Sequence, residues 1–446
     1  GRNAPVTGHL RHITLKEEGT MTAQSYKDPD AGKAPKQLLA ERTKRFQDAM
    51  QLKQPDRIPI QLDMSYMLAE MYGVTRQEQH ENADKELEML EKAGLYFQPD
   101  SVVGVYNNPG ASVAVGDRTT RFPGHGGHSS NGSFQFVEGE YMKPQDYDVF
   151  LEDPADWSIR NLWPRIFTEL EGLAMLPHLG LAAFGSYSLP VLGALAAPPV
   201  AKAFSALGRA IEAQAAADAR TARRVERLGA LGFPPESFAG PVVEAPFDFM
   251  SDTLRGMRGI MLDIYRRPDK LLAAEERVLR IQLENAAALT RATGIKVFFI
   301  PLHRGSDGFM SLPQFEKFYW PQLKALYLGL IEQGIMPYVF YEGAWDQRLP
   351  YLAELPKGKT VGWFQSTDIF KAKEIVGDTM CIAGGMKNTL LQAGTPESVR
   401  EFTIKLCKEV GKGGGFIMTT GVGEMEGCKP ELVKVWVETT KEYGVY

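Results

Sequence analysis

The 446 residues carry 50 Lys and Arg against 55 Asp and Glu, a formal charge of -5, with 44% hydrophobic and 24% charged residues. So even a balance argues against a polyanion-coating protein or an acidic disordered tail, and against nucleic acid as a main partner. Three cysteines, Cys381, Cys407 and Cys428, are too few for a disulfide scaffold and fit a reducing compartment, so a cytoplasmic globular protein is expected.

The opening "GRNAPVTGHLRHITLKEEGT" is polar and mixed in charge, without the basic, apolar and small-residue succession of a signal peptide. Residues 1–36 have no apolar period and are expected to be mobile or draped on the surface, with Met21 a candidate natural start. From Arg57 onward, short apolar or β-branched runs alternate with longer segments of helical period. "RIPIQLDM", "DSVVGVYNN" and "GLAAFGSY" are the first three candidate strands. "IKVFFIPLH", "IMPYVFYEG", "TVGWFQS", "TMCIAGGM" and "GGFIMTTG" are five more, each followed by or set between helical stretches. Eight strands in βα order predict an α/β chain folded as a (β/α)8 TIM barrel, over residues 37–446, as one domain. An open doubly wound sheet is the rival, but "QLDMSYML" rather than a Gly-rich phosphate turn follows the first strand.

Two insertions interrupt the repeat. Residues 107–141 are Gly-rich and polar and suggest a hairpin excursion over the barrel mouth. Residues 192–238 are Ala-rich and helical, with Arg220, Arg223, Arg224 and Arg227 near the end; a solvated face, packing on a partner subunit and a lid are the alternatives. The apolar run "HLGLAAFGSYSLPVLGALAAPPVAKAF" is broken by Pro190, Pro198 and Pro199 and is not expected to cross a membrane.

In a parallel barrel the functional groups gather where the strands end. Those ends read Asp63; Tyr106 and Asn107; His303, Arg304 and Asp307; Tyr341, Glu342 and Asp346; Gln365 and Asp368; Lys387 and Asn388; then Thr419, Thr420, Glu424 and Glu426. Asp368 opens "DIFKAKE" and reads as a helix N-cap. His303 follows an almost uninterrupted apolar strand, a rigid support suited to a proton shuttle or a metal ligand. His303, Glu342 and Cys428 are the candidate metal ligands, without a compact ligand spacing, and His125 with His128 offers either zinc binding or a substrate-contacting turn. Cys428 is also a candidate thiolate, while Cys381 and Cys407 read as packing. Tyr106, Tyr341, Trp345, Trp363 and Phe364 suit either a flat organic ligand or packing beneath the loops. No nucleophile elbow, P-loop or dinucleotide fingerprint is present.

The segments "APFDFMSDTLRGMRGIMLDIYRRPDKL", "GIKVFFIPLHRGSDGFMSLPQFEKFYWPQLKAL" and "GTPESVREFTIKLCKEVGKGGGFIMTTG" resemble the uroporphyrinogen decarboxylase superfamily, including its cobalamin-associated methyltransferase branch. The resemblance runs from about Arg42 to Tyr446 apart from the Ala-rich insertion, and implies a (β/α) barrel with its site at the strand C-termini. The family's porphyrinogen decarboxylases carry an Arg-containing signature after the first strand and a Gly-His-Gly turn after the last. This chain has "IPIQLDMSYMLAEMYG" and "TTGVGEME" there. The zinc-dependent branch has a His-x-Cys pair after strand five and a later Cys, where this chain has "FYEGAW" and "TGVGEMEGC". What the resemblance implies is therefore a corrinoid-linked methyltransferase, moving a methyl group between a small organic donor and a corrinoid protein. A decarboxylase or other lyase on a different substrate, and a non-catalytic corrinoid or tetrapyrrole binder, are the alternatives. In the first reading His303 is the acid/base, Glu342 an acid or ligand, and Asp63, His125, Asp307, Tyr341 and Gln365 are substrate contacts. Zinc and a corrinoid carried on a partner are the cofactors to consider, and a homodimer is among the candidate assemblies.

Overall fold

The computed structural model describes residues 28–105, 109–179, 193–235 and 240–446. Tyr106, Asn107 and the segment "GLAAFGSY", expected as the third strand, lie outside the described residues.

Five strands form one parallel sheet in sequential order: β5 (Val297–Leu302), β6 (Met336–Tyr341), β7 (Val361–Phe364), β8 (Cys381–Met386) and β9 (Phe416–Thr420). Two more, β1 (Gln61–Asp63) and β2 (Ser101–Val103), pair in parallel with each other. An isolated parallel bridge, Ile60 with Met418, joins the β1 segment to β9. At the other end, Val242 bridges Phe299 of β5 in parallel, with Val243 N–H donating to Phe299 and Phe299 N–H to Pro241. A ladder joining β2 to the Pro241–Val243 segment is not among the described pairings, so the series is parallel throughout but closure is not shown. In the sequence "GPVVEAP" carries no strand signature, because two valines between prolines are too short a run to register against the period of a pleated strand.

Side chains of a strand alternate between its faces, and here both faces are covered, as parallel sheets require. Phe298, Ile300 and Leu302 of β5 join the large core shared with the helices. A second core on the opposite face collects Val103 of β2, Tyr338 of β6, Val361 and Trp363 of β7, Cys381 and Ala383 of β8, and Ile417 of β9. Helix Pro35–Met50 sends Phe46 and Ala49 into this second core. Among the described residues no helix is long and apolar enough to cross a membrane. The hairpin of the first insertion is formed by β3 (Thr120–Arg121) and β4 (Gln135–Phe136), and the Ala-rich segment is a helix, Pro198–Ala230.

Near the N-terminal ends of β1 and β2 the interior carries charge. Asp100, fully buried, takes Arg45, with Arg57 at 2.6 and 2.8 Å and the Ile60 N–H at 2.8 Å. Asp30 meets Arg57 at 2.9 Å, and Asp28 meets Lys441 at 2.9 Å, so the last residues of the stretch expected to be mobile or draped are tied to helix Pro430–Tyr443. The guanidinium groups hold the Asp100 carboxyl below its ordinary range against the opposing cost of burial. Removing one partner of such a cluster leaves uncompensated buried charge. Asp100→Ala is expected to cost about 3–5 kcal/mol of folding free energy, read as a lowered midpoint in urea denaturation.

Candidate active site

β5 stops at Leu302, and the next two residues are His303 and Arg304. Their main-chain N–H groups need partners once the ladder ends. Both donate to Asp248, His303 to Oδ2 and Arg304 to Oδ1, each at 3.0 Å, and the Tyr319 hydroxyl donates to Oδ2 at 2.6 Å. Asp248 is fully buried and belongs to the turn that follows the Pro241–Val243 segment: Pro246–Asp248 is α-helical and Phe249–Arg255 is wound as a wider π-helix. Such widened turns recur at functional sites because they re-aim side chains.

The same turn supplies Asp252. Its Oδ2 lies 2.5 Å from His303 Nδ1, and its Oδ1 lies 2.9 Å from Arg304 Nε and 2.7 Å from Nη2. Arg304 Nε also donates to Ser251 Oγ at 3.0 Å. On the other edge of the imidazole, His303 Nε2 is 3.7 Å from Glu342 Oε2, delivered by the end of β6. His303 and Glu342 are thus brought together, with side chains 31% and 47% exposed, open enough to meet a ligand. Gly305 lets the chain turn here: a Cβ at this position would stand 2.3 Å from the Trp345 ring and 2.5 Å from Tyr319.

Burial pushes the His303 imidazole down, but the Asp252 hydrogen bond and the charges of Asp248, Asp252 and Glu342 outweigh it and raise it from 6.5 to about 9. His303 is therefore a cation at neutral pH, with Nδ1–H held by Asp252 and a second N–H at Nε2 facing Glu342. The acids near it are shifted upward as well. Burial, with the charges of Asp252 and Asp248, pushes Glu244 up to about 7. Burial and Asp252 raise Asp248, and burial and Asp248 hold Glu275 well above the usual carboxyl range. Neither Glu275 oxygen has a hydrogen-bond partner among the described residues.

The other expected site residues lie in varied surroundings. Asp63 ends β1 and is buried below the loop after β9, where a Cβ on Gly423 would come within 2.9 Å of its Oδ2 and 2.8 Å of Trp363. Gln365 Oε1 accepts the Gly343 N–H at 2.6 Å, just past Glu342. Asp307 is turned to a loop, accepting the Gln347 N–H at 3.0 Å with Arg348 at 3.6 Å. Tyr341 is fully buried, stacked on Phe364 with ring centroids 4.8 Å apart and its hydroxyl 3.4 Å from Tyr327, and Trp345 and Trp363 are buried as well. Their structural surroundings are those of packing. His125 contacts Glu81 at 2.9 Å and His128 the Ser133 carbonyl at 2.9 Å, both around the hairpin. Cys428 is buried 4.0 Å from the Asn388 carbonyl, and burial with the Glu70 charge pushes its thiol up to about 12, the opposite of the thiolate considered from sequence. Cys381 and Cys407 are buried, and Asp368 caps its helix by accepting from Phe370 and Lys371 N–H, as expected.

Asp248, Asp252, Tyr319 and Glu244 carry much of the site and were not singled out from sequence. Their signal, two aspartates four apart after a short apolar run, sits in "VVEAPFDFMSD", and it becomes legible only once Val242 is seen to bridge Phe299 of β5.

Residues 237–443 match the family model described as uroporphyrinogen decarboxylase (URO-D). The matched segment, somewhat less than half of the chain, resembles that family. It contains both the Asp248–Asp252 turn and the ends of β5 to β9. The chain is 35% identical over 85 residues to the uroporphyrinogen decarboxylase of Chlorobium phaeovibrioides (strain DSM 265 / 1930), which is 18% of this chain and 23% of that protein. It is 34% identical over 88 residues to the uroporphyrinogen decarboxylase of Chlorobium phaeobacteroides (strain DSM 266 / SMG 266 / 2430), 19% of this chain and 24% of that one. The chain thus spans less than a quarter of the length of these curated relatives. A methyltransferase from Methanosarcina mazei shares the fold with a TM-score of 0.56 at 16% identity, over 90% of this chain and 98% of that one.

Nuclear magnetic resonance titration of the imidazole is expected to show His303 losing its proton near pH 9, and Asp252→Asn to bring the midpoint down toward the ordinary value of about 6.5. Because folding raises this value, the pairing stabilises the fold fully below about pH 6.5 and is lost as pH rises through about 9. Thermal stability should fall across that window in the parent protein and less steeply in Asp252→Asn.

Proposed function

We propose that the URO-D-like domain is an enzyme of the corrinoid-linked methyltransferase type, a (β/α)8 barrel that demethylates a small organic donor. The observation that carries this reading is the cationic His303, held at Nδ1 by Asp252 with its Nε2 edge toward Glu342 at a part-exposed set of strand ends. Cleaving a methyl–heteroatom bond is easier when the departing heteroatom receives a proton as it leaves. In this reading the bonding pair goes to the heteroatom, the methyl group goes to the acceptor, and the Nε2 proton of His303 goes to the leaving group. Asp252 stabilises the cation and fixes the ring, Glu342 orients the donor, and solvent water returns a proton to Nε2. A corrinoid carried on a partner protein would supply the nucleophile that accepts the methyl group. The fit to such an acceptor rests on access, since His303, Asp252 and Glu342 are all partly exposed. Zinc does not fit the residues present: among the described residues no group of three or more His, Cys, Asp and Glu could hold a metal ion, and Cys428 is a buried thiol.

Decarboxylation is the second reading, favoured by the family model and by the names of the curated relatives. There a carbon–carbon bond breaks, carbon dioxide leaves, and the same His303 proton goes to carbon. A substrate with many carboxylates finds little to bind, because the arginines around the strand ends are already engaged. Arg304 is held by Asp252 and Glu138, Arg348 by Asp307, Arg76 by Glu426, and Arg255 by Asp263 and Glu140.

The test follows methyl transfer from a panel of methyl ethers, thioethers and amines to free cob(I)alamin, alongside carbon dioxide release from carboxylated substrates without an acceptor. Methyl transfer is expected, with His303→Ala slowed about 100-fold or more while donor affinity changes little. Carbon dioxide release in its place moves the reading to the lyase, and neither activity removes both.

A further inference from the structure

The hairpin of the first insertion reaches the site through one side chain. After β4 the chain descends, and Glu138 bonds the Met257 N–H through Oε1 and meets Arg304 Nη2 through Oε2 at 3.3 Å. Two residues on, Glu140 meets Arg255 at 2.8 Å. Arg304 is therefore shared: Asp252 takes Nη2 at 2.7 Å and Nε at 2.9 Å from one side, while Glu138 takes Nη2 from the other. Of its remaining neighbours, Ser251 offers a neutral hydroxyl and Phe309 a ring face at 5.3 Å, while Asp248, which takes the Arg304 main-chain N–H, adds a charge that acts on the guanidinium without a side-chain hydrogen bond. Glu138, Arg304, Asp252, His303 and Glu342 thus form one line of alternating charge, supplied by the hairpin, the end of β5, the π-wound turn and the end of β6.

We infer that Glu138 is a positioning residue: by drawing Arg304 partly toward the hairpin, it leaves the Asp252 carboxylate free to hold the His303 imidazole. The physical basis is competition. Asp252 Oδ1 serves Arg304 and its Oδ2 serves His303, so a guanidinium released from Glu138 settles fully on Asp252 and pulls that carboxylate from Nδ1. Loss of the Glu138 charge also leaves the arginine cation uncompensated beside the imidazolium. Both effects favour the neutral imidazole. The other ionisable groups facing His303 are Asp248, Asp252 and Glu244 from the segment after Pro241–Val243 and Glu342 from β6; Glu138 acts on it only through Arg304. The inference deepens the reading of His303 as the proton donor and makes hairpin docking a means of setting that proton.

The test titrates His303 by nuclear magnetic resonance in the 446-residue chain without substrate, so its outcome does not depend on methyl transfer. Glu138→Gln is expected to lower the His303 midpoint by about half a pH unit, the scale of one charge acting at second hand through a partly screened path. Glu140→Gln weakens the same stem of the hairpin without touching Arg304 and is expected to leave the midpoint where it stands. The inference is overturned if Glu138→Gln leaves the midpoint unchanged, or if Glu140→Gln lowers it equally, since the hairpin's attachment rather than the Glu138 charge would then be responsible.

Discussion

The site depends on a buried carboxylate that holds main chain. Asp248 accepts the main-chain N–H groups of His303 and Arg304 and the hydroxyl of Tyr319, all within 3.0 Å. Where β5 leaves its sheet, those N–H groups would otherwise be buried without partners, at a cost comparable to a lost hydrogen bond each. By taking them, Asp248 fixes where the strand ends and hence where the imidazole and guanidinium begin. Asp252, one helical turn later on the same segment, can then meet both side chains. The segment after the Val242 bridge thus fixes the backbone and the charge of the β5 terminus at once.

The charge pattern explains how a carboxylate-rich rim favours a cationic imidazole. Each anion near His303 favours its cationic form, while burial disfavours the anionic form of the acids beneath it. The outcome is a protonated imidazole above protonated or partly protonated acids. Titratable groups perturbed together by burial and by one another's charge are a recurrent feature of active sites. The same arrangement engages Arg304, Arg348, Arg76 and Arg255 in ion pairs within the chain.

Much of this was legible in the sequence where strands were long. β5 to β9 are runs of four to six residues with apolar character, and their register put His303, Glu342 and Gln365 at strand ends, where the structure also has them. Asp368 was legible as a cap because a carboxylate before a helical period has few other uses. The Asp248–Asp252 turn was not legible: its supporting strand makes a single bridge, and a π-wound turn has no periodic signature of its own. Tyr341, Asp307 and Cys428 show the converse, since position near a strand end says little about whether a side chain turns to solvent, to a loop or to the core. Tyr341 turned to the core because Phe364 and Trp345 offer it ring faces, and Asp307 turned to the loop because Gln347 and Arg348 lie within its reach.

The clasp of Asp28 and Asp30 onto Lys441 and Arg57 ties a segment far ahead of the first strand to the helix that follows the last one. Neither stretch can then peel away alone without stranding a charge in an apolar surrounding. Local opening at this pole becomes a joint event, so amide protons of residues 28–34 and of Pro430–Tyr443 should exchange as one cooperative unit rather than fray independently.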